Sequence, residues 1–210
     1  MTGKRVSLVL GSGGARGLAH IGVIRYLEEQ GYRIDSISGS SMGALIGGIY
    51  ATGKLEVYAE WVSALEKIDI LRLLDISFSD GGFLRGDKVI RALRELIGDH
   101  QIEDLPISYT AVASDLKRQR EVWLKAGSLF DAIRASIAIP TLFTPVRHEG
   151  RLLVDGGLVN PVPVSVVRAM GADVVIAVNI NADLVAGRLA GALDRRKTWP
   201  HYPCDCRRRS

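Results

Sequence analysis

Cysteine is almost missing from this chain: its only two, Cys204 and Cys206, fall within the last seven of 210 residues. No disulfide framework can therefore organise the fold. Long apolar runs are missing as well. Although 47% of the residues are hydrophobic, glycine, serine, arginine, histidine or an acid interrupts every stretch before the roughly 20 residues that a membrane-spanning helix needs. Lys4 and Arg5 ahead of Val6-Ser7-Leu8-Val9-Leu10 imitate a secretory leader, but the apolar run stops at Gly11 and a glycine-rich segment follows. That run reads as a first strand, and the expected location is the cytoplasm, with a peripheral station at the inner membrane face.

A basic surface is also missing from the body of the chain, despite a net charge of +4. Seven of the 27 basic residues but only two of the 23 acidic ones fall at 188–210, which leaves 20 basic against 21 acidic residues before that point. Nucleic-acid binding as the main function loses its chief support. The expected organisation is one domain over residues 1–187, large enough for a single buried core, and a basic, disordered or truncated tail over 188–210.

What is present is an alternation of strand-like and helix-like segments. Arg5–Leu10 is β-rich, Gly11-Ser12-Gly13-Gly14-Ala15-Arg16-Gly17 follows, and Leu18, Ile21, Ile24 and Leu27 then recur at helical spacing up to Gly31. Ile34–Ser38 runs into Gly39-Ser40-Ser41-Met42-Gly43 and a buried helix through Tyr50. Asp87 caps a helix to Ile97, Ser108–Ala113 and Glu121–Lys125 are strands, and Leu129–Ala138 is a helix ending before Pro140. Arg151–Val154 and Asp173–Asn179 are further strands, with a helix over Pro161–Met170 between them. This order predicts a largely parallel sheet covered on both faces, a three-layer α/β/α domain.

Gly39-Ser40-Ser41-Met42-Gly43 fits G-x-S-x-G between a strand and a helix, the setting of a nucleophile elbow. Small residues at i−2 and i+2 let the chain cross itself, which leaves the Ser41 hydroxyl at a helix N-terminus, where unpaired N–H groups favour developing negative charge. The first glycine loop is one residue too long for the dinucleotide fingerprint, and Ser38-Gly39 offers no acid at the end of the second strand, so a nicotinamide or flavin site is poorly supported. Gly13 and Gly14 can instead present uncovered amides to an oxyanion, with Arg16 orienting the loop, neutralising charge or lying on the surface.

A serine needs a base. His20, His100, His148 and His201 are the available imidazoles, and only His201, in the arginine-rich tail, follows the strongest acid, Asp155. A Ser-His-Asp triad is hard to assemble from them. Asp155 ends the strand Arg151–Val154 beside Gly156-Gly157, where open α/β sheets form their crevice; it can take the Ser41 proton directly, or it can simply close an Asx turn. Cys204-x-Cys206 lacks the further ligands a metal site requires.

Together these segments resemble the patatin-like phospholipases, particularly the bacterial branch similar to the esterase domain of neuropathy target esterase. The resemblance runs from about Val6 to Asn181. It is carried by Gly13-Gly14-Ala15-Arg16-Gly17, Gly39-Ser40-Ser41-Met42-Gly43, Ala113-Ser114-Asp115-Leu116, Ala135-Ser136-Ile137-Ala138-Ile139-Pro140 and Asp155-Gly156-Gly157. It implies a Ser-Asp dyad without histidine, in which Ser41 is the nucleophile and Asp155 the general base. Gly13, Gly14 and Arg16 become the oxyanion element. It further implies hydrolysis of phospholipid or lysophospholipid esters with no metal or organic cofactor; the alternative is a catalytically silent lipid- or protein-binding regulator. Ser12 departs from the family's usual glycine, and the chain after Asn181 departs from the packed helix expected there. Membrane contact is expected from an apolar rim that includes Phe78 and Phe83, aided by the basic tail.

Overall fold

Every residue from Val6 to Leu10 is buried, the signature of a strand covered on both faces. The computed structural model describes residues 4–65, 86–140, 142–168 and 172–181. Its elements, in chain order, are β1 (Arg5–Leu10), α1 (Ala19–Glu29), β2 (Arg33–Ser40), α2 (Met42–Ala51), α3 (Leu55–Ala64), α4 (Asp87–Ile97), β3 (Ser108–Asp115), β4 (Arg120–Leu124), α5 (Leu129–Ser136), β5 (Val146–His148), β6 (Arg151–Asp155), α6 (Val164–Val167) and β7 (Val174–Val178). Short 3-10 turns occupy Gly14–Leu18, Ile102–Asp104 and Gly156–Leu158. The sheet runs β5-β6-β3-β2-β1-β7, with β4 also paired to β3. Its centre, β7-β1-β2-β3, is parallel, and β4, β5 and β6 are antiparallel additions, so the sheet is mixed.

The two faces differ in chemistry. Leu8 stands opposite Ile37 in the register of β1 and β2, and these residues join Val6, Leu10, Tyr109, Ala111 and Ala113 in the main core with apolar residues of α1 to α5. Helix α2 lies close enough for the Tyr109 hydroxyl to donate to the Ala44 carbonyl at 2.7 Å. The alternate residues of β2, Ser36, Ser38 and Ser40, are small and polar. The Ser7 and Ser36 hydroxyls share a hydrogen bond of 2.7 Å, and the Ser38 hydroxyl donates to the Pro163 carbonyl at the start of α6 at 2.9 Å. Among the described residues α6 is the helix on this side, packed on β1 and β2.

The pairing of β3 places the site. Ala111 and Val112 pair with both β2 and β4, and Ala113 to Asp115 pair with both β4 and β6. A strand has two edges, so β2 and β6 share the edge opposite β4. Because β2 runs parallel to β3 and β6 antiparallel, their C-terminal ends meet head to head, Ser40 beside Val112 and Asp155 beside Ala113. Ser41, the residue after Ser40, is thus brought beside Asp155, 114 positions away in sequence.

Some boundaries differ from the sequence expectations. Gly86, at φ +69°, caps α4, while Asp87 is its first residue and approaches the Arg134 Nε at 3.6 Å. The first helix begins as a 3-10 turn, and the expected helix at 161–170 is confined within the described residues to α6. The unanticipated α3 was announced by Leu55, Tyr58 and Ala59, which recur at helical spacing and are buried. Phe78, Phe83, His201, Cys204, Cys206 and the tail at 188–210 lie outside the described residues.

Candidate active site

Ser41 lies between β2 and α2 with φ 54° and ψ −122°, a conformation that costs a non-glycine residue on the order of 1–3 kcal/mol. The crossing of the chain there is tight. A side chain on Gly39 would place its Cβ 2.4 Å from the Gly43 carbonyl oxygen, and one on Gly43 would lie 2.0 Å from the Leu10 carbonyl oxygen. Ser136, at the end of α5, holds the elbow from below: it accepts from the Ser41 N–H at 3.0 Å and donates to the Val112 carbonyl at 2.6 Å. Ser41 is 3% exposed, and its hydroxyl turns towards the end of β6.

There the Ser41 hydroxyl donates to Asp155 Oδ2 at 2.5 Å. The other carboxylate oxygen, Oδ1, accepts from the Gly157 N–H at 2.7 Å, and the Asp155 N–H donates to the Ala138 carbonyl at 2.9 Å. One oxygen is thus fixed by the Asx turn and the other is aimed at the serine. The Asx turn uses Oδ1 and leaves Oδ2 to the serine, so the turn does not exclude the base reading of Asp155. Burial pushes the Asp155 carboxyl above the ordinary aspartate range, while the hydrogen bonds from Ser41 and Gly157 pull it partly back. Desolvation makes it a stronger base than an exposed aspartate.

The glycine loop closes over this pair. Gly17 lies against the Met42 side chain, and Ser12 faces Gly157, whose amide anchors Asp155. Gly14 sits at φ +53° at the start of the 3-10 turn. The Arg16 N–H donates to the Gly13 carbonyl at 3.2 Å, and its exposed side chain makes no hydrogen bond or ion pair with the described residues. Arg16 therefore shapes the loop through its backbone.

No described histidine reaches the serine. His20 is fully buried, and its Nε2–H donates to the Gly11 carbonyl at 2.8 Å; burial holds its pKa below the usual imidazole value. His100 Nε2 lies 3.3 Å from the Ile97 carbonyl. His148 pairs with Arg151 in the β5–β6 hairpin, four residues before Asp155, or about 13 Å along a strand. Asp115 and Ser114 are supports: Asp115 accepts from the Lys117 and Arg118 N–H groups at 3.0 Å each, and the Ser114 hydroxyl donates to the Gly156 carbonyl at 3.3 Å. Ser136 is the residue whose part was not separable from its motif, since its two partners lie 95 and 24 positions away. Among the described residues no group of three or more His, Cys, Asp or Glu is placed to hold a metal ion.

Residues 8–168 match the family model described as patatin-like phospholipase. An NTE family protein of Mycobacterium tuberculosis is 52% identical over 177 residues, covering 84% of this chain and 49% of the relative. The lysophospholipase nte1 of Emericella nidulans is 33% identical, covering 87% of this chain and 12% of the relative, and patatin-like phospholipase domain-containing protein 6 of Homo sapiens is 34% identical, covering 87% and 14%. The chain therefore spans about half the length of the mycobacterial relative and far less of the eukaryotic ones. The crystal structure of VipD from Legionella pneumophila superposes with a TM-score of 0.56 at 19% identity, over 76% of this chain and 46% of that one, a likeness of fold.

Proposed function

The chain belongs to the patatin-like phospholipase family, and from that premise we propose that it is a serine lipid acyl hydrolase working through a Ser41-Asp155 dyad. The observation that carries the reading is the 2.5 Å hydrogen bond from Ser41, held on a strained elbow, to the free oxygen of a buried carboxylate. Asp155 accepts the hydroxyl proton as Ser41 Oγ attacks the ester carbonyl. The tetrahedral oxyanion is held by main-chain N–H groups of the Gly13-Gly14 loop and the start of α2. Collapse breaks the ester C–O bond, and the departing alcohol takes the proton from Asp155. Water then attacks the acyl-enzyme, giving its proton to Asp155; the fatty acid leaves, and the proton returns to Ser41.

The substrate class proposed is phospholipid or lysophospholipid, a reading supported by the family and by the apolar surface around the dyad. Leu158 is 59% exposed three residues after Asp155, Val159 is exposed beside it, and Ile139 and Leu142 are exposed just beyond the Ala138 carbonyl that receives the Asp155 N–H. Such a rim suits acyl chains and a lipid surface. A fluorophosphonate probe tests the chemistry: it should label the wild-type protein and not Ser41→Ala, which should also lose at least ~10³-fold in p-nitrophenyl ester turnover while remaining folded. Substantial turnover by pure Ser41→Ala protein would overturn the assignment.

A further inference from the structure

The glycine loop faces a problem that its composition creates. A peptide unit followed by two glycines rotates easily. For a loop offering amides to an oxyanion such rotation is damaging, because in a trans peptide the C=O of one residue points opposite the N–H of the next. A half-turn of the Ser12–Gly13 unit would put the Ser12 carbonyl oxygen where the Gly13 N–H had been, an acceptor in place of a donor.

The main-chain partners of the loop show how it is held. The Gly11 N–H donates to the Val178 carbonyl at 3.0 Å, and the Gly11 carbonyl accepts from His20 Nε2 at 2.8 Å. The Ser12 N–H donates to the Pro161 carbonyl at 2.8 Å, and the Ser12 carbonyl accepts from Asn181 Nδ2 at 2.7 Å. The Gly13 carbonyl accepts from the Arg16 N–H. From Gly11 to Gly13, the Gly13 N–H alone has no partner among the described residues. It belongs to the same rigid peptide plane as the Ser12 carbonyl that Asn181 grips.

Asn181 is itself set in place. The backbone turns immediately after β7, the Asn181 N–H donates to Asn179 Oδ1 at 3.0 Å, and the Ile180 side chain occupies the space where a Gly13 Cβ would stand, 2.3 Å from its position. The strand that accepts the Gly11 N–H through Val178 thus also delivers the amide that holds the next peptide. We propose that Asn181 is a positioning residue that locks the Ser12–Gly13 peptide in one rotation and so keeps the Gly13 N–H available to the tetrahedral intermediate. The proposal rests on the hydrolase reading and names a residue within that site which touches neither substrate nor nucleophile.

Asn181→Asp is the sharpest variant: it conserves shape but replaces the amide donor by an acceptor facing the Ser12 carbonyl. Removing one oxyanion donor costs about 10²–10³ in kcat. Weakening its orientation should cost roughly 10–100-fold in kcat on p-nitrophenyl butyrate, with KM within about twofold of wild type. A readout of the oxyanion separates this from general damage. The inhibition constant of an alkyl trifluoromethyl ketone, which forms a tetrahedral adduct with the serine, should rise by the same factor as kcat falls, whereas that of the product fatty acid should not change. Asn181→Gln, which keeps an amide donor on a longer arm, should retain more activity than Asn181→Leu, which has none. These two decide the matter if Asn181→Asp lowers Tm. A wild-type kcat in Asn181→Asp, a loss confined to KM, or equal activity in the Gln and Leu variants would overturn the proposal alone. Wild-type protein that neither hydrolyses the ester nor takes the fluorophosphonate label would overturn the hydrolase reading and this inference with it.

Discussion

Asp155 carries opposing demands, and its two oxygens separate them. A carboxylate buried to this degree resists ionisation, and hydrogen bonds from Ser41 and Gly157 do not fully offset the loss of solvation. Its folded-state pKa lies above the ordinary value, so between the two values the folded protein holds a proton that the unfolded chain has released. Stability therefore falls as pH rises through that window, and at neutral pH the ionised Asp155 is a net cost to the fold. Asp155→Asn should remove nearly all ester hydrolysis yet raise Tm at pH 7, by roughly 2–4 °C for each kcal/mol relieved. The gain should shrink as pH approaches the ordinary aspartate range. The asparagine amide can donate to Ser41 Oγ while its oxygen still accepts from Gly157. In the wild type, kcat/KM should rise with pH along a single acidic limb displaced above the usual aspartate pKa. His100→Gln, His148→Gln and His201→Gln should leave the chemical step intact, and a dead but folded variant among these would replace the proposed dyad by a triad; His20→Gln acts instead on the Gly11 carbonyl that His20 holds.

At the scale of elements, the two glycine turns were legible because each is local. Gly39 and Gly43 stand two residues to either side of Ser41, and the change from strand-like to helix-like pattern brackets both turns. The distance between Ser41 and Asp155 was not legible. It follows from β2 and β6 abutting on one edge of β3, and no local pattern encodes which edge a short antiparallel strand takes. The same limit hid the grip of Ser136 on the Ser41 amide and that of Asn181 on the Ser12 carbonyl, 169 positions away. Asp155 was nevertheless a candidate, since an acid at a strand end beside two glycines falls in the crevice of an open sheet, although the same pattern also serves an Asx turn. The glycine loop yields its own prediction. A Cβ on Gly14 would meet nothing within 4 Å, yet its φ of +53° is one that a β-branched residue adopts only under strain. Gly14→Val should therefore distort the loop without a clash, lowering kcat on a soluble ester by about 10²-fold and moving KM little. A loss confined to KM would make this a substrate-binding loop.

For the whole molecule the decisive feature is that Ser41, Asp155 and the exposed apolar residues share one end of the sheet. Leu158 and Val159 follow Asp155 directly, Ile139 and Leu142 follow the strand-supporting Ala138, and β3 runs past the end of β2 into a turn where Leu116 is 47% exposed beside Lys117, Arg118 and Arg120. Apolar side chains bordered by cations match an anionic lipid surface, where insertion of a leucine is worth up to roughly 1.5–3 kcal/mol and each nearby cation about 1 kcal/mol. None of the described helices is long and apolar enough to cross a membrane. The double change Leu116→Ser with Leu158→Ser removes the two most exposed of these side chains without touching the hydrogen bonds of Ser41 or Asp155. Sedimentation with phosphatidylglycerol-containing vesicles should fall by about tenfold or more, and hydrolysis of vesicle phospholipid should fall with it, while turnover of p-nitrophenyl butyrate stays at the wild-type rate. Equal loss on both substrates would mean that these leucines shape the catalytic crevice itself. Unchanged vesicle binding would move the lipid contact to residues outside those described, with Phe78 and Phe83 the next pair to replace.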